Sequence, residues 1–571
     1  MLARWTMPLA RTAFRQKRFA STPKEVFTNI EDESDPKRAS LFEYSWGSWL
    51  KDDAAEKEKR RTQFSIKGLN TVLSSILKPF EGSVLVQPSN NVNVIKSNLD
   101  VLKEGFSQIK QISSIHEGKH HRIYKLQLDN QESNLVLRIP YSLESPLYTE
   151  RKIKSEAATM DFLTTKLELD VPRVLAYSGV ADNVLGCPFM LLEHKDGDLL
   201  MKSWNPLIPG AINEEKSKEE LMKVISPIAE FNSKVQTPTF NSFGSLYFKQ
   251  DGFSHITEEP YEGESNEELK GRWVIGPTVE KAYYRNKVVP SEIIDQHVGP
   301  WKKEEPLKMV SDLANLELEN LKQKGQEQAV AVYGKFAAVS DKLFDLKSKS
   351  IPNLEELLVP RLNVPDLDPM NVIVGEKKWF VDFEGSSIKP TLLTQYPRFV
   401  QYSGPKIFDL ENDVENYSEL DELSKQQYQY MFYRTRNQFY WELGLNEGNK
   451  KLLGIISPAV KLIKGAYLSA LDLKATEDYL YVENGLVELS TMWPHYERSA
   501  IVLGKNPIEF TEKELESHET SYQEYQVLLS SMPFAATGGW IPQDMFIRLI
   551  EQKILVQKGS DYEIDREKIL Q

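Results

Sequence analysis

Asp366 and Asn371 stand five residues apart in the segment VPDLDPMNVIV, and Asp382 follows in WFVDFEG. Two carboxylates and an amide are oxygen donors of the kind a hard cation takes. The apolar run Val372 to Val374 is separated from WFVDF by the polar stretch GEKK. That pattern predicts a hairpin with a tight turn. Antiparallel pairing folds Asp382 back beside Asn371, with Asp366 on the loop just ahead of the strands. One carboxylate, one amide oxygen and a second carboxylate then converge at one mouth. An Asn and an Asp suffice to tether Mg²⁺ when phosphate oxygens and water complete its shell. The remaining carboxylate, Asp366, is left to accept a hydroxyl proton. This is an arrangement for phosphoryl transfer, in which the protein positions groups and neutralises charge. Asp368, directly before Pro369, reads more plainly as a turn residue.

Other elements must hold these residues in place. Between residues 108 and 195, IKQISSI, HRIYKLQL and SNLVLRIPY are short β-rich runs split by polar turns. TERKIKSEAATMDFLTTKL follows, with Ile153, Ala157, Met160, Leu163 and Leu167 at helical spacing. VPRVLAYS and CPFMLLEHKDG then read as two further strands, making a small α+β unit. Residues 200 to 350 read as mostly helical, 352 to 390 return to short strands, and helices dominate again beyond 405. Thr511 and Glu514 open the last long helix with a capping-box pattern. The aromatics at 481 to 500 read as helix-packing core. Earlier in the chain, Phe42, Tyr44, Trp46 and Trp49 read as an arm that packs by its rings, and QPSNNVNV reads as a loop.

The order D-x-x-x-x-N, hairpin, DFE resembles the catalytic core of the aminoglycoside phosphotransferase-like kinases, a family with the protein-kinase-like fold. FGSLYF, VIGPT, GPW and QYPRFVQYSGP resemble one branch of the same family. The resemblance covers roughly residues 100 to 545. It implies an α+β, two-lobed protein-kinase-like fold with a small β-rich N-lobe and a large, mostly helical C-lobe. It implies ATP and Mg²⁺ as cofactors, with Asp366 catalytic and Asn371 and Asp382 on the metal. HEGKHHRIYKL matches the hairpin that covers the nucleotide, which brings in Gly118, Lys119 and His120. Arg138 stands where the family usually has its phosphate-binding lysine, and Glu156 where a helix glutamate pairs with it. An Arg–Glu pair can be bidentate, although Arg and Lys are not interchangeable. Glu193 and His194 match the hinge whose backbone meets an adenine edge. The family usually reads H-G-D before the catalytic segment, whereas Val364 and Pro365 precede Asp366 here. These departures motivate an alternative in which the fold binds nucleotide as a scaffold and transfers poorly or not at all. The acceptor implied is a small-molecule hydroxyl of unidentified structure.

Composition narrows the remaining possibilities. With 40% hydrophobic and 27% charged residues, the 571-residue chain is that of an ordered globular protein. No apolar run reaches the ~18 residues a membrane-spanning helix needs. The single cysteine, Cys187, excludes an intramolecular disulfide and multi-cysteine metal sites. No Walker loop or G-x-S-x-G occurs, and His116, His120 and His121 lack the companions of a metal set. Residues 1 to 24 carry six basic and no acidic side chains, with Leu2, Trp5, Leu9 and Phe14 at helix-like intervals. That is the composition of a mitochondrial import leader. Cleavage after Phe19 would remove five positive charges and take the formal charge from -13 to -18. So acidic a chain repels a phosphate backbone, so no direct nucleic-acid partner is expected. The expected organisation is therefore a transit peptide over 1–19, an extension over 20–100, the N-lobe over 101–195, the C-lobe over 196–545 and a tail over 546–571, in the mitochondrial matrix.

Overall fold

The computed structural model describes residues 27–29, 37–76, 84–102, 108–129, 134–532 and 534–565. The leader expected over 1–19 lies outside them. The chain divides into two compact units. One comprises 1–150, 174–194 and 516–571, and the other 151–173 and 195–515.

The first unit is built on an eight-stranded sheet in which every neighbouring pair is antiparallel. The expected strands are present as Ile109–Glu117, His121–Leu128, Asn134–Pro140, Val174–Ser178 and Phe189–Glu193. Alternation decides their faces. Tyr124, Leu126 and Leu128 point inward from one strand, and Leu135, Leu137 and Ile139 from the next. Against them packs the helix Ile66–Ile76, which buries Ile66, Leu69, Val72, Leu73 and Ile76 on one stripe. QPSNNVNV is not a loop. It forms the strands Leu85–Ser89 and Val92–Ile95 of the same sheet, turning at Asn91, whose φ is +54°. Asparagine tolerates that left-handed conformation. The aromatic arm packs as expected, with Tyr44 and Trp49 buried against Tyr141. Arg122, 1% exposed, ties the arm down by donating to the Glu43 carbonyl at 2.6 Å while meeting Glu117 at 3.1 Å. The strand Trp540–Pro542 pairs with Gly47–Trp49, and a short helix and hairpin follow.

The second unit is mostly helical. Its long helices include Glu215–Val235, Lys308–Lys324, Glu327–Val339, Glu422–Asn449 and Tyr479–Arg498. The last of these buries Trp493 and Tyr496, as expected of core aromatics. Thr511 and Glu514 form the reciprocal cap, with Thr511 N donating to Glu514 Oε2 at 2.7 Å and Glu514 N to Thr511 Oγ1 at 3.2 Å. Small sheets interrupt the helices, among them Ser245–Phe248 with Trp273–Gly276 and Pro360–Asn363 with Ser387–Pro390. The α+β class is as expected: a β-rich portion and a larger, mostly helical one. Among the described residues no helix is long and apolar enough to cross a membrane.

The helix Pro146–Thr165 departs from the simple amphipathic picture. Ile153, Ala157, Met160 and Leu163 are buried as expected, but so are Arg151, Lys152, Glu156 and Asp161. Buried charges need partners, and these have them. Asp161 takes Arg272 in a fork, Nε to Oδ2 and Nη2 to Oδ1, both at 2.7 Å. Arg151 meets Asp295 at 2.7 Å.

Candidate functional site

The antiparallel pair Pro360–Asn363 and Ser387–Pro390 anchors both ends of the segment that carries the predicted chemistry. Leu362 faces Ile388, and Asn363 faces Ser387. Between these anchors, Asp368 caps a single turn, its Oδ1 accepting from Met370 N at 2.9 Å while its carbonyl accepts from Asn371 N at 2.8 Å. Asp368 is thus the turn residue its place before proline predicted. Pro369 supplies a fixed φ at the start of that turn.

The hairpin forms with Val372 opposite Phe380 and Val374 opposite Lys378, and the turn between them spans 375–377. Past its end, Val381 N donates to the Asn371 carbonyl at 2.9 Å, which sets Asp382 next to Asn371 in the chain fold. Asn371 Nδ2 donates to the Asp366 carbonyl at 2.9 Å and lies 3.4 Å from Asp366 Oδ2. Asp366, Asn371 and Asp382 are therefore neighbours around one loop–hairpin junction. The Asn371 amide spends its N–H on Asp366, and its Oδ1 accepts no hydrogen bond from any described residue. Hard oxygen donors of this kind suit Mg²⁺. Among the described residues no group of three or more His, Cys, Asp or Glu is placed to hold a metal ion, so most of a cation's shell here would come from oxygens outside the protein.

The Asp366 carboxyl is raised above the ordinary aspartate value of 3.8, first by crowding that strips its hydration and then by the Asp368 charge, with Glu384 adding to the rise. Arg398 and the Asn371 hydrogen bond oppose it. The side chain nonetheless reaches solvent, so water screens these effects in part.

Glu156 is buried, and its Oε1 accepts from the backbone N of Phe383 at 3.1 Å. One turn earlier on the same helix, Lys152 Nζ meets Glu384 Oε1 at 3.0 Å. Sequence reading missed this pair. The signal for it was a lysine four residues before Glu156 and the acid of the DFE triplet. Phe380 stacks on Phe231 at 3.8 Å between ring centroids, and Phe383 is 1% exposed, so the hairpin and the residues after it rest on core. Behind the loop, a cavity of about 30 Å³ is lined by Val364, Pro365, Leu367, Thr391 and Trp441 among others. Trp441 Nε1 and Thr391 Oγ1 are buried there without partners, a setting with room and polarity for an ordered water.

The remaining predicted residues belong to the sheet unit. Gly118 N donates to the His121 carbonyl at 2.8 Å and closes the turn between Ile109–Glu117 and His121–Leu128, with Lys119 exposed at its tip. The His120 carbonyl accepts from Tyr141 N at 2.9 Å. Arg138 sits between the inward-pointing Leu137 and Ile139, on the other face of its strand, and its Nη2 lies 3.1 Å from His121 Nε2. Glu193 pairs with Leu135, and His194 N donates to the Asn134 carbonyl at 3.3 Å. The structure thus gathers Gly118, His120 and Arg138 around one hairpin and leaves Glu193 and His194 at the end of a neighbouring strand pair.

No family model matches the chain. Solved structures similar to it include an ethanolamine kinase of Plasmodium vivax, 12% identical with a TM-score of 0.31 over 70% of this chain and 86% of that one. A thermostable mutant of an aminoglycoside phosphotransferase in ternary complex with AMP-PNP and hygromycin B is also 12% identical, with a TM-score of 0.29 over 69% of this chain and 96% of that one. Likeness at that level carries no argument about chemistry. The curated relatives are far nearer. Altered inheritance of mitochondria protein 9 of Meyerozyma guilliermondii is 44% identical, over 97% of this chain and 95% of its own. The protein of the same name from Lodderomyces elongisporus is 46% identical, over 96% and 91%. The Candida albicans protein is 44% identical, over 98% and 94%. With near full-length identity at this level, the chain belongs to the family of altered inheritance of mitochondria protein 9, whose members are named as mitochondrial proteins.

Proposed function

We propose that this protein is a phosphotransferase of the mitochondrial matrix that uses ATP and Mg²⁺ to phosphorylate a hydroxyl of a small molecule. The observation that carries the reading is the junction at which Asp366, Asn371 and Asp382 become neighbours. Asn371 and Asp382 hold Mg²⁺, which neutralises phosphate charge when bound. Asp366 orients the acceptor hydroxyl and takes its proton as the acceptor oxygen bonds to the γ-phosphorus and the β–γ bridging bond breaks, releasing ADP. Its raised carboxyl pKa suits a proton acceptor. From the sheet unit, Arg138 and the backbone around Gly118, Lys119 and His120 are assigned to phosphate, and Glu193 and His194 to the adenine edge. Glu156 braces the Phe383 amide.

Incubating the purified chain with labelled ATP and a mitochondrial metabolite extract tests the reading. A labelled small molecule whose formation is lost in Asp366→Asn and in Asp382→Ala is the expected result. A second reading is favoured by Val364 and Pro365, which stand where the related kinases usually have His and Gly, and by Arg138 in place of lysine. It holds that the protein binds nucleotide without transferring phosphate. ATP binding with no labelled product in any fraction would support it and sink the first.

A further inference from the structure

Asp382 adopts a φ of +68°. A residue with a Cβ enters this left-handed region only at a cost, and it stays there when its surroundings over-determine it. Here restraints act on both sides. Ahead of it, Val381 N is held by the Asn371 carbonyl at 2.9 Å. Behind it, Phe383 N is held by Glu156 at 3.1 Å, and the Phe383 carbonyl accepts from Ser386 Oγ at 2.8 Å. One residue further, Glu384 meets Lys152 at 3.0 Å. Lys152 and Glu156 are four apart on one helix face, so a single helix grips the backbone and the side chain of two successive residues after Asp382.

The Lys152–Glu384 pair is an odd choice if stability were its only use. The two side chains are 3% and 15% exposed, and apolar residues of similar volume commonly do as well in such places. What an ion pair adds is a single permitted geometry. We propose that Lys152 and Glu384 are positioning residues for the cation site, holding the turn in which Asp382 keeps its left-handed conformation beside Asn371. Without them the backbone relaxes toward negative φ, and the Asp382 carboxylate no longer works with the Asn371 amide. The inference rests on the proposed phosphotransferase reading.

The test is a calorimetric titration of Mg²⁺ into the full chain held with a saturating non-hydrolysable ATP analogue. Lys152→Met alone takes a cation away from the half-buried Glu384 carboxylate and risks unfolding, so the double variant Lys152→Met/Glu384→Gln carries the test once circular dichroism shows a native melt. The expected result is a Mg²⁺ requirement raised roughly tenfold, the scale seen when supports behind metal ligands are removed, with Lys152→Arg close to wild type. Asp382→Ala serves as the control. A folded double variant with wild-type Mg²⁺ dependence, alongside an Asp382→Ala variant that loses it, overturns the positioning role and leaves the phosphotransferase reading standing. An Asp382→Ala variant with unchanged Mg²⁺ dependence overturns both.

Discussion

Asp366 has two acidic neighbours, Asp368 next along the loop and Glu384 past the hairpin, and both raise its carboxyl pKa. A general base with a raised pKa loses function earlier as the solution is acidified. The acid limb of kcat should therefore fall at a pH above the 3.8 of an ordinary aspartate. Asp368→Asn should move that limb down by removing one repelling charge while its amide oxygen keeps the Met370 cap. An acid limb unmoved in Asp368→Asn would mean that Asp366 is not the titrating base. Asp161 makes a second residue-scale case, because its buried carboxylate is forked by Arg272 and also accepts from Trp273 Nε1 at 3.0 Å. Asp161→Ala removes the forked carboxylate from a buried guanidinium, and breaking a buried pair on one side typically costs about 3–5 kcal/mol. Urea unfolding should show a loss of about that size.

At the scale of elements, the strands of the sheet unit were legible because their alternation has a period of two and one face is core. The hairpin Val372–Val374 with Lys378–Phe380 was legible for a related reason, two apolar runs around a polar turn. QPSNNVNV misled because its Asn and Pro residues are turn formers, while Val92 and Val94 earn strand status only by burial against the rest of the sheet. The helix Pro146–Thr165 was legible on its apolar side only. The burial of its charged residues has no local signal, because the partners Arg272, Asp295 and Glu384 come from more than a hundred residues away. The helix Ile66–Ile76 offers a direct check on the sheet core. Leu73 is 1% exposed, so Leu73→Ala should destabilise the protein by about 2–5 kcal/mol, read as a shifted denaturant midpoint with an unchanged m-value.

For the whole molecule, the buried Lys464 gives a pH test of stability. Its Nζ donates to the carbonyls of Leu392 at 3.0 Å and Thr394 at 2.7 Å. Burial first, and then Lys461 and Lys389, lower its pKa from 10.5 to about 7. Between pH 7 and 10.5 the unfolded chain keeps a proton at Lys464 that the folded chain has released, so stability rises with pH through that window. The unfolding free energy of wild type minus that of Lys464→Met should therefore increase from pH 7 to pH 9. A difference flat with pH would show that Lys464 is charged in the fold or titrates as an exposed lysine.

By itself the amino-acid sequence determined the α+β class, the order of the main strands and helices, and the loop–hairpin on which Asp366, Asn371 and Asp382 sit. Those features follow from local pattern: periodicity, turn chemistry and the few residues that separate the three oxygen donors. Tertiary structure alone decided which charged residues are buried and what meets them. Glu156 on the Phe383 amide, Lys152 on Glu384 and the left-handed backbone at Asp382 all depend on bringing residues 152–156 against 382–384. No periodicity encodes a contact across more than two hundred residues. It forms because a buried charge or amide has no water to turn to and must find its partner in the packed chain.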